Sequence, residues 1–355
     1  MKMEDKHLKA IFIGGTGRSG TSILSKYLGT HSQIYQVPIE TKFIADKDGV
    51  LDLYTSLTDN FNIVQGKVAI YRFIKLMDRY MNDPNGAPYI GYNLKKLTQD
   101  EYFVDQINKL IKSISYGKWY SWDKHTTDNY FIMMKILRIL GKIYNKMFLL
   151  PINKIIPEKM SINYFNPKRL ITKEWMHIPK YFDEEKELQN ILGHFIKSLF
   201  FEMSRLNNKS HFCEATPSNM LHIDFLSSLI PDANFIHIVR NPIGVAFSMS
   251  QKSRFWAPNE KEKIVGYLAA IYDKLIKMEK FAISNNKKYK RVKLENCSNS
   301  STLLDINKFL GIDNLFDGSI NFDSDKVNYW ETKYSSKEID YYKTNLSKYI
   351  NYFSY

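Results

Sequence analysis

Leu8-Lys-Ala-Ile-Phe-Ile-Gly14-Gly-Thr-Gly-Arg-Ser-Gly-Thr-Ser22-Ile-Leu-Ser-Lys-Tyr-Leu28 is the stretch that decides the fold. Residues 8–14 form a short apolar run bounded by glycine, the pattern of a buried parallel strand. Residues 23–28 take up helical spacing, and Gly29 stands where a helix ends. Strand, glycine-rich turn and helix start in that order make an anion site from backbone N–H groups and the helix dipole. The turn fails the Walker A test, which requires Gly-x4-Gly-Lys-Ser/Thr. Counted from Gly15, the second glycine is Gly20, but Thr21 holds the lysine position and the cation lies inside the loop at Arg18. A loop of this kind binds an anion without the lysine that a nucleotide β/γ-phosphate hydrolase uses.

Outward from this unit, Ile34-Tyr-Gln-Val37 reads as a second strand. A long region, about 45–210, is rich in Lys, Asn and aromatic residues and shows no repeat. Its end, residues 186–206, reads as one long helix returning to the core. A second alternating segment follows: a short strand at 211–213, a helix at 219–229 and a strand at Asn234-Phe-Ile-His-Ile-Val-Arg240. Asn241-Pro242 breaks that strand, a helix begins within 245–249, and Lys290-Arg-Val-Lys-Leu294 is a further strand. Strands alternating with helices predict an α/β fold with a P-loop-NTPase-like parallel central sheet flanked by helices. The expected organisation is a single domain over 1–355, with 45–210 as a largely helical insertion shaping the acceptor site.

Arg240 marks a second anion site. It ends an apolar strand, and ligands bind at the carboxyl ends of parallel strands. Its guanidinium can grip a phosphate in two places, and Ser248, eight residues on, can add a hydroxyl. Only nine of the 50 basic residues are arginine, which makes each position informative. Two Arg-bearing sites on two strands suit a ligand with two anionic ends.

With these residues in place a family resemblance becomes specific. Gly14–Ser22 resembles the 5′-phosphosulfate loop of sulfotransferases that use 3′-phosphoadenosine-5′-phosphosulfate (PAPS), in its Arg-Ser-Gly-Thr form. Phe235-Ile-His-Ile-Val-Arg-Asn-Pro-Ile-Gly-Val-Ala-Phe-Ser248 resembles their 3′-phosphate motif. Cys213-Glu-Ala-Thr-Pro-Ser-Asn219 resembles the Glu-Lys-Thr-Pro segment, Val292-Lys-Leu-Glu-Asn296 the Val-Arg-Tyr-Glu-Asp segment, and Lys308-Phe-Leu-Gly311 the Phe-Leu-Gly segment. The nearest branch in style is that of the tyrosylprotein sulfotransferases and related bacterial enzymes. The likeness covers about 8–45 and 186–335 and leaves the middle uncovered.

The resemblance implies a transferase that moves a sulfuryl group from PAPS, as co-substrate and without a metal, to an acceptor hydroxyl. Gly17, Arg18, Ser19, Gly20, Thr21 and Ser22 would bind the phosphosulfate, and Arg240 and Ser248 the 3′-phosphate. Arg18 is also assigned a catalytic part. Val37-Pro-Ile-Glu-Thr-Lys-Phe43 resembles the family's Glu-Glu-Thr-Arg segment with a one-residue length difference, which makes Glu40 the candidate base. His31, His222 and His237 are rival bases. Two departures stand out. The family's lysine before Thr-Pro is Ala215 here, with Lys42 as a candidate substitute, and the family's tyrosine before Glu is Leu294. Peptide tyrosine, a sugar hydroxyl, a lipid headgroup and a small molecule all remain open as acceptors.

Composition sets the outer bounds. Hydrophobic residues make up 44% and charged residues 25%, a globular balance. Cys213 and Cys297 form neither a disulfide framework nor a metal spacing. The N-terminus lacks the apolar region of a secretory signal, and no run is long enough to span a membrane. The expected location is therefore cytoplasmic, with peripheral membrane contact at most. The net charge of +13 points to anionic partners such as a nucleotide, an acidic glycan or an anionic membrane surface. No nucleic acid partner is expected, and the oligomeric state is not set by the sequence. A nucleotide-dependent phosphotransferase is the enzymatic alternative, disfavoured by Thr21. A non-enzymatic basic module binding polyanions is the other, and it leaves the two phosphate motifs unexplained. Residues 128–150 are expected to form an amphipathic helix with Lys135, Arg138, Lys142 and Lys146 on one face.

Overall fold

The computed structural model describes residues 8–82, 97–121, 174–251, 257–313, 316 and 318–355. The basic helix expected at 128–150 lies outside these.

Five parallel strands form the centre: β1 (Ala10–Gly14), β2 (Ile34–Gln36), then β5 (His211–Glu214), β6 (Asn234–Val239) and β7 (Tyr289–Lys293). Their order across the sheet is β2-β5-β1-β6-β7. The three inner strands are buried along their whole length, which is why they read as continuous apolar runs. Register places Phe12 beside Phe235 and Ile13 beside Ile236, so side chains sort by face. On one face Phe12 packs against Phe212 and Phe235, with ring centroids 5.8 and 5.9 Å apart. On the other, Ile11, Ile13, Ile236 and Ile238 meet Leu24 and Leu28 of helix α1 (Thr21–Gly29). Fully burying one such side chain stabilises the fold by about 1.5–3 kcal/mol. Both faces are covered, and the α/β class with a P-loop-like strand–loop–helix unit is as expected.

Within 45–210 the described segments are α2 (Val50–Leu57), α3 (Ile63–Asn82), α4 (Asp100–Ile114) and a two-stranded antiparallel ladder, β3 (Ser115–Ser121) with β4 (Glu174–Pro179). The ladder is absent from the sequence reading for a physical reason. Tyr116, Lys118 and Tyr120 are exposed, so β3 shows no alternation of apolar and polar faces, and its partner strand lies more than 50 residues away. Helix α5 (Glu185–Leu206) then packs Phe195, Ile196, Leu199 and Phe200 into the core, as its spacing predicts. The single helix expected at 219–229 is split. A 3₁₀ segment, Pro217–His222, opens with Pro217 at its first turn and precedes α6 (Ile223–Leu229). Helices α7 (Pro242–Ser250), α8 (Lys261–Ser284) and α9 (Ser300–Leu310) complete the alternation, and shorter helices follow from Ser324. Among the described residues no helix is long and apolar enough to cross a membrane.

All five central strands present their carboxyl ends at one edge. The loop after β1, the segments after β2 and β5, and the corners after β6 and β7 therefore meet there, as parallel topology requires.

Candidate functional site

The loop 15–20 is held by backbone geometry. Gly17, Arg18 and Gly20 have φ values of +72°, +59° and +101°, three left-handed residues in four. Gly20 is required twice over. A Cβ there would also lie 2.6 Å from Leu294 Cδ1. Gly15 donates its N–H to the Pro217 carbonyl at 3.0 Å, which stitches the loop to the segment after β5. Helix α1 starts at Thr21 with Gly20 as its cap, without a side-chain cap and without an acidic residue in its first turn. Its first N–H groups therefore keep the positive end of the dipole facing the loop. Ser19 is fully buried and its Oγ has no hydrogen-bond partner.

The second motif comes to the same place. Arg18 Nε donates to Ser248 Oγ at 2.9 Å across 230 residues of sequence. Arg240 Nη1 reaches the Arg18 carbonyl at 3.4 Å, Nη2 donates to the Val327 carbonyl, and Nε is buried without a partner. Burial is the main cause that pulls the Arg240 pKa below its usual value; Glu295 opposes that shift and Arg18, a like charge, adds to it. The corner carrying Arg240 is pinned by Glu295, whose carboxylate accepts from Asn241 N at 2.8 Å and from Tyr355 Oη at 2.7 Å. Asn241 in turn caps α7 by accepting from Ile243 N at 3.0 Å.

Opposite the loop lies the segment after β2. Glu40 and Lys42 form a pair at 3.7 Å, and both line the cleft with Gly17, Arg18, Thr21 and Ser22. Burial raises the Glu40 pKa above the usual carboxylate value, Lys42 opposes the shift, and Glu214 and Asp46 add to it. Glu214 holds the wall from beneath. It is fully buried and accepts from Thr41 N at 3.0 Å and Thr41 Oγ1 at 2.8 Å, and also from Thr216 and Asn219. One carboxylate thus ties the Glu40 segment to the Thr216-Pro217 segment. The cleft, about 360 Å³ in volume, is lined as well by Leu221, Tyr267 and Ile271.

Gly17, Arg18, Thr21, Ser22 and Glu40 therefore line one cleft, whereas Ser19 and Gly20 do not line it, and Arg240 and Ser248 are joined to it through Arg18, whose carbonyl and Nε they contact. Ala215 is buried and carries no cation, whereas Lys42 is in the cleft. The rival histidines do not line it. His31 is buried, with its ring bonded to Asp313 O and Gln33 N. His237 is buried with Nδ1 2.7 Å from Tyr289 Oη, and burial pushes its pKa down to about 3. His222 sits outside the cleft with its pKa lowered, chiefly by burial. Glu214 and Glu295 have positioning parts that sequence reasoning missed, although both fall within motif segments quoted for the resemblance. No group of three or more metal-ligating side chains occurs among the described residues.

Comparison with known proteins bears on this arrangement. A sulfotransferase family model matches residues 147–293, a stretch that contains Arg240 and Ser248. No curated protein matches the chain. Among solved structures, the sulfotransferase domain of the Synechococcus olefin synthase is 13% identical, with a TM-score of 0.44 over 95% of this chain and 91% of that one. The sulfotransferase domain from the curacin biosynthetic pathway is 13% identical, with a TM-score of 0.43 over 96% and 98%. A Mycobacterium avium sulfotransferase is 9% identical, with a TM-score of 0.39 over 97% and 76%. The family whose model matches is the one the phosphate motifs resemble; the match takes in the second motif and does not reach the loop at 14–22. The tyrosylprotein branch is not singled out.

Proposed function

We propose that this chain, which carries the sulfotransferase pattern over residues 147–293, is a PAPS-dependent enzyme that sulfates an acceptor hydroxyl. One observation carries the reading: the Arg18–Ser248 hydrogen bond joins two anion motifs, far apart in sequence, into a single site. Two guanidinium groups drawn together, with an unpartnered buried Arg240 Nε beside them, fit a ligand bearing two separated anionic groups. A nucleotide with phosphate on both its 5′ and 3′ positions is such a ligand.

In this reading Arg18 and the N–H groups of Ser19–Ser22 hold the 5′-phosphosulfate, and Arg240 with Ser248 holds the ribose 3′-phosphate. Nucleotide binding exchanges the Arg18–Ser248 bond for bonds to the ligand. Glu40 takes the proton of the acceptor hydroxyl as its oxygen bonds to sulfur. The bond between sulfur and the bridging oxygen breaks in line, and 3′,5′-ADP leaves with the electron pair. The work is positioning and charge stabilisation, as in phosphoryl transfer. The raised pKa of Glu40 makes its carboxylate a better proton acceptor than an exposed one. Lys42 supplies the cation that Ala215 does not.

Calorimetry tests the donor assignment. The chain should bind 3′,5′-ADP more tightly than 5′-AMP. Arg240→Ala should remove most of that preference, about 1.5–3 kcal/mol for a charge-assisted contact. Equal affinity of the unaltered protein for the two nucleotides would sink the reading.

A further inference from the structure

Past the loop, the cleft continues into a wall that donor binding leaves unexplained. Asp46 lies on it, half-buried, four residues beyond Lys42 in a non-helical turn and bonded to it through the backbone, Asp46 N to Lys42 O at 3.0 Å. Its carboxylate accepts from Ser218 Oγ at 3.3 Å. The same cleft is lined by Tyr267 and Ile271, positions i and i+4 of α8 and so on one face of that helix, and by Leu221. The wall thus pairs an apolar, aromatic surface with a hydrogen-bond acceptor that has lone pairs beyond the one Ser218 uses.

Charge narrows the occupant. The described charged residues lining the cleft are Arg18, Glu40, Lys42 and Asp46. A phosphosulfate group engages Arg18, which leaves two carboxylates and one lysine around the acceptor. Lys42 already pairs with Glu40 at 3.7 Å. An acceptor bearing carboxylate, phosphate or sulfate next to its reacting hydroxyl would meet Asp46 as a like charge in a partly desolvated site. A cationic acceptor would meet Lys42. The chain as a whole carries +13, so a cleft lined by as many carboxylates as cations departs from the overall balance.

Resting on the sulfotransferase reading, we infer that the acceptor is a neutral, ring-shaped polyol of the sugar kind, with a ring hydroxyl donating to Asp46 and the ring's apolar face on Tyr267. Burial raises the Asp46 pKa, with Lys42, Ser218 and His222 opposing, and the position keeps a carboxylate acceptor above that pKa. Asp46 is the specificity residue here, and Glu40 remains the base. The hydroxyl held by Asp46 fixes which neighbouring hydroxyl reaches Glu40.

The test uses the whole chain, labelled PAPS and three p-nitrophenyl β-glycosides: glucoside, xyloside and glucuronide. The xyloside lacks the sixth carbon and stays neutral, so it separates loss of the 6-hydroxyl from gain of charge. The expected result is transfer to both neutral glycosides, with kcat/KM for the glucuronide at least about tenfold lower. Asp46→Asn should raise KM for the neutral glycosides several-fold with kcat changed less, and should shrink the discrimination against the glucuronide. A second variant, Tyr267→Phe, keeps the ring and should preserve KM. Sulfation of the glucuronide, or of an acidic tyrosyl peptide, in preference to the neutral sugars would overturn the inference. So would failure to sulfate any neutral glycoside by protein that binds 3′,5′-ADP. Failure to bind 3′,5′-ADP at all would instead remove the donor reading beneath it.

Discussion

Across the cleft, loop 14–22 and wall 40–46 are built in opposite ways. The loop is a backbone object: three left-handed residues, an uncapped helix start and one bond from Gly15 N to Pro217 O set its shape. The wall is a side-chain object: Glu40, Lys42 and Asp46 stand on a turn held in place by Thr41 bonded to the buried Glu214. Backbone donors suit a group common to every turnover, because they change only when the fold changes. Side chains suit a partner that differs between related enzymes, because one substitution alters them and leaves the loop intact. The contrast implies that variants of the wall spare nucleotide binding and variants of the loop do not.

Glu40→Gln should break the symmetry most sharply. Gln keeps the shape and removes the base, so transfer to a working acceptor should fall by about 10²–10⁴-fold. Affinity for 3′,5′-ADP should stay within twofold, because the proposed donor contacts are on the loop and on Arg240. Activity near that of the unaltered protein would show that Glu40 is not the base. In the unaltered protein, kcat should rise with pH through the raised Glu40 pKa, because the ionised form accepts the proton.

Gly20→Ala attacks the other side. The residue sits at φ +101°, and an added Cβ would press Leu294 at 2.6 Å. Strain of this kind costs about 1–3 kcal/mol, and here it falls on the turn that aims the α1 N–H groups. The expected outcome is a lower melting temperature together with weaker binding of both 3′,5′-ADP and 5′-AMP. Loss of stability with nucleotide affinity unchanged would mean that loop and helix start act independently.

The same division explains what the sequence made legible. Backbone requirements leave residue signatures: Gly-rich loop, apolar strand, Pro242 after Asn241. From these the five strands, the α1 turn and the pair Arg18 and Arg240 were readable without coordinates. Side-chain constellations leave weaker ones. Glu214 and Glu295 lie in recognisable segments, yet their duties emerge only once the strand ends are side by side. Asp46, Tyr267 and Ile271 carried no signal, since an acidic residue on a turn and an apolar pair on a helix are ordinary features. The strand pair β3–β4 was missed for the related reason that its exposed aromatics mask the period of two.

The smallest effect is thermodynamic and separates a working carboxylate from a structural one. Glu40 has its pKa raised mainly by burial, so the fold favours its neutral form. Below the unfolded-state pKa the group is protonated in both states and Glu40 resembles Gln in charge. As pH rises through the unfolded value, the unfolded chain ionises first, and stability is lost until pH passes the raised folded value. Glu40→Gln removes that loss. The variant should therefore melt at a temperature close to that of the unaltered protein near pH 4 and progressively above it toward pH 7. The side chain is 41% exposed and solvent screens its charge, so the gain should be slight. Gln that lowers the melting temperature at pH 7 would mean that the ionised carboxylate and its Lys42 pair stabilise the fold. Glu40 would then also shape the wall, as Glu214 does, and only the activity of Glu40→Gln would decide whether it is the base; if that activity is retained, Asp46 is the next carboxylate to test.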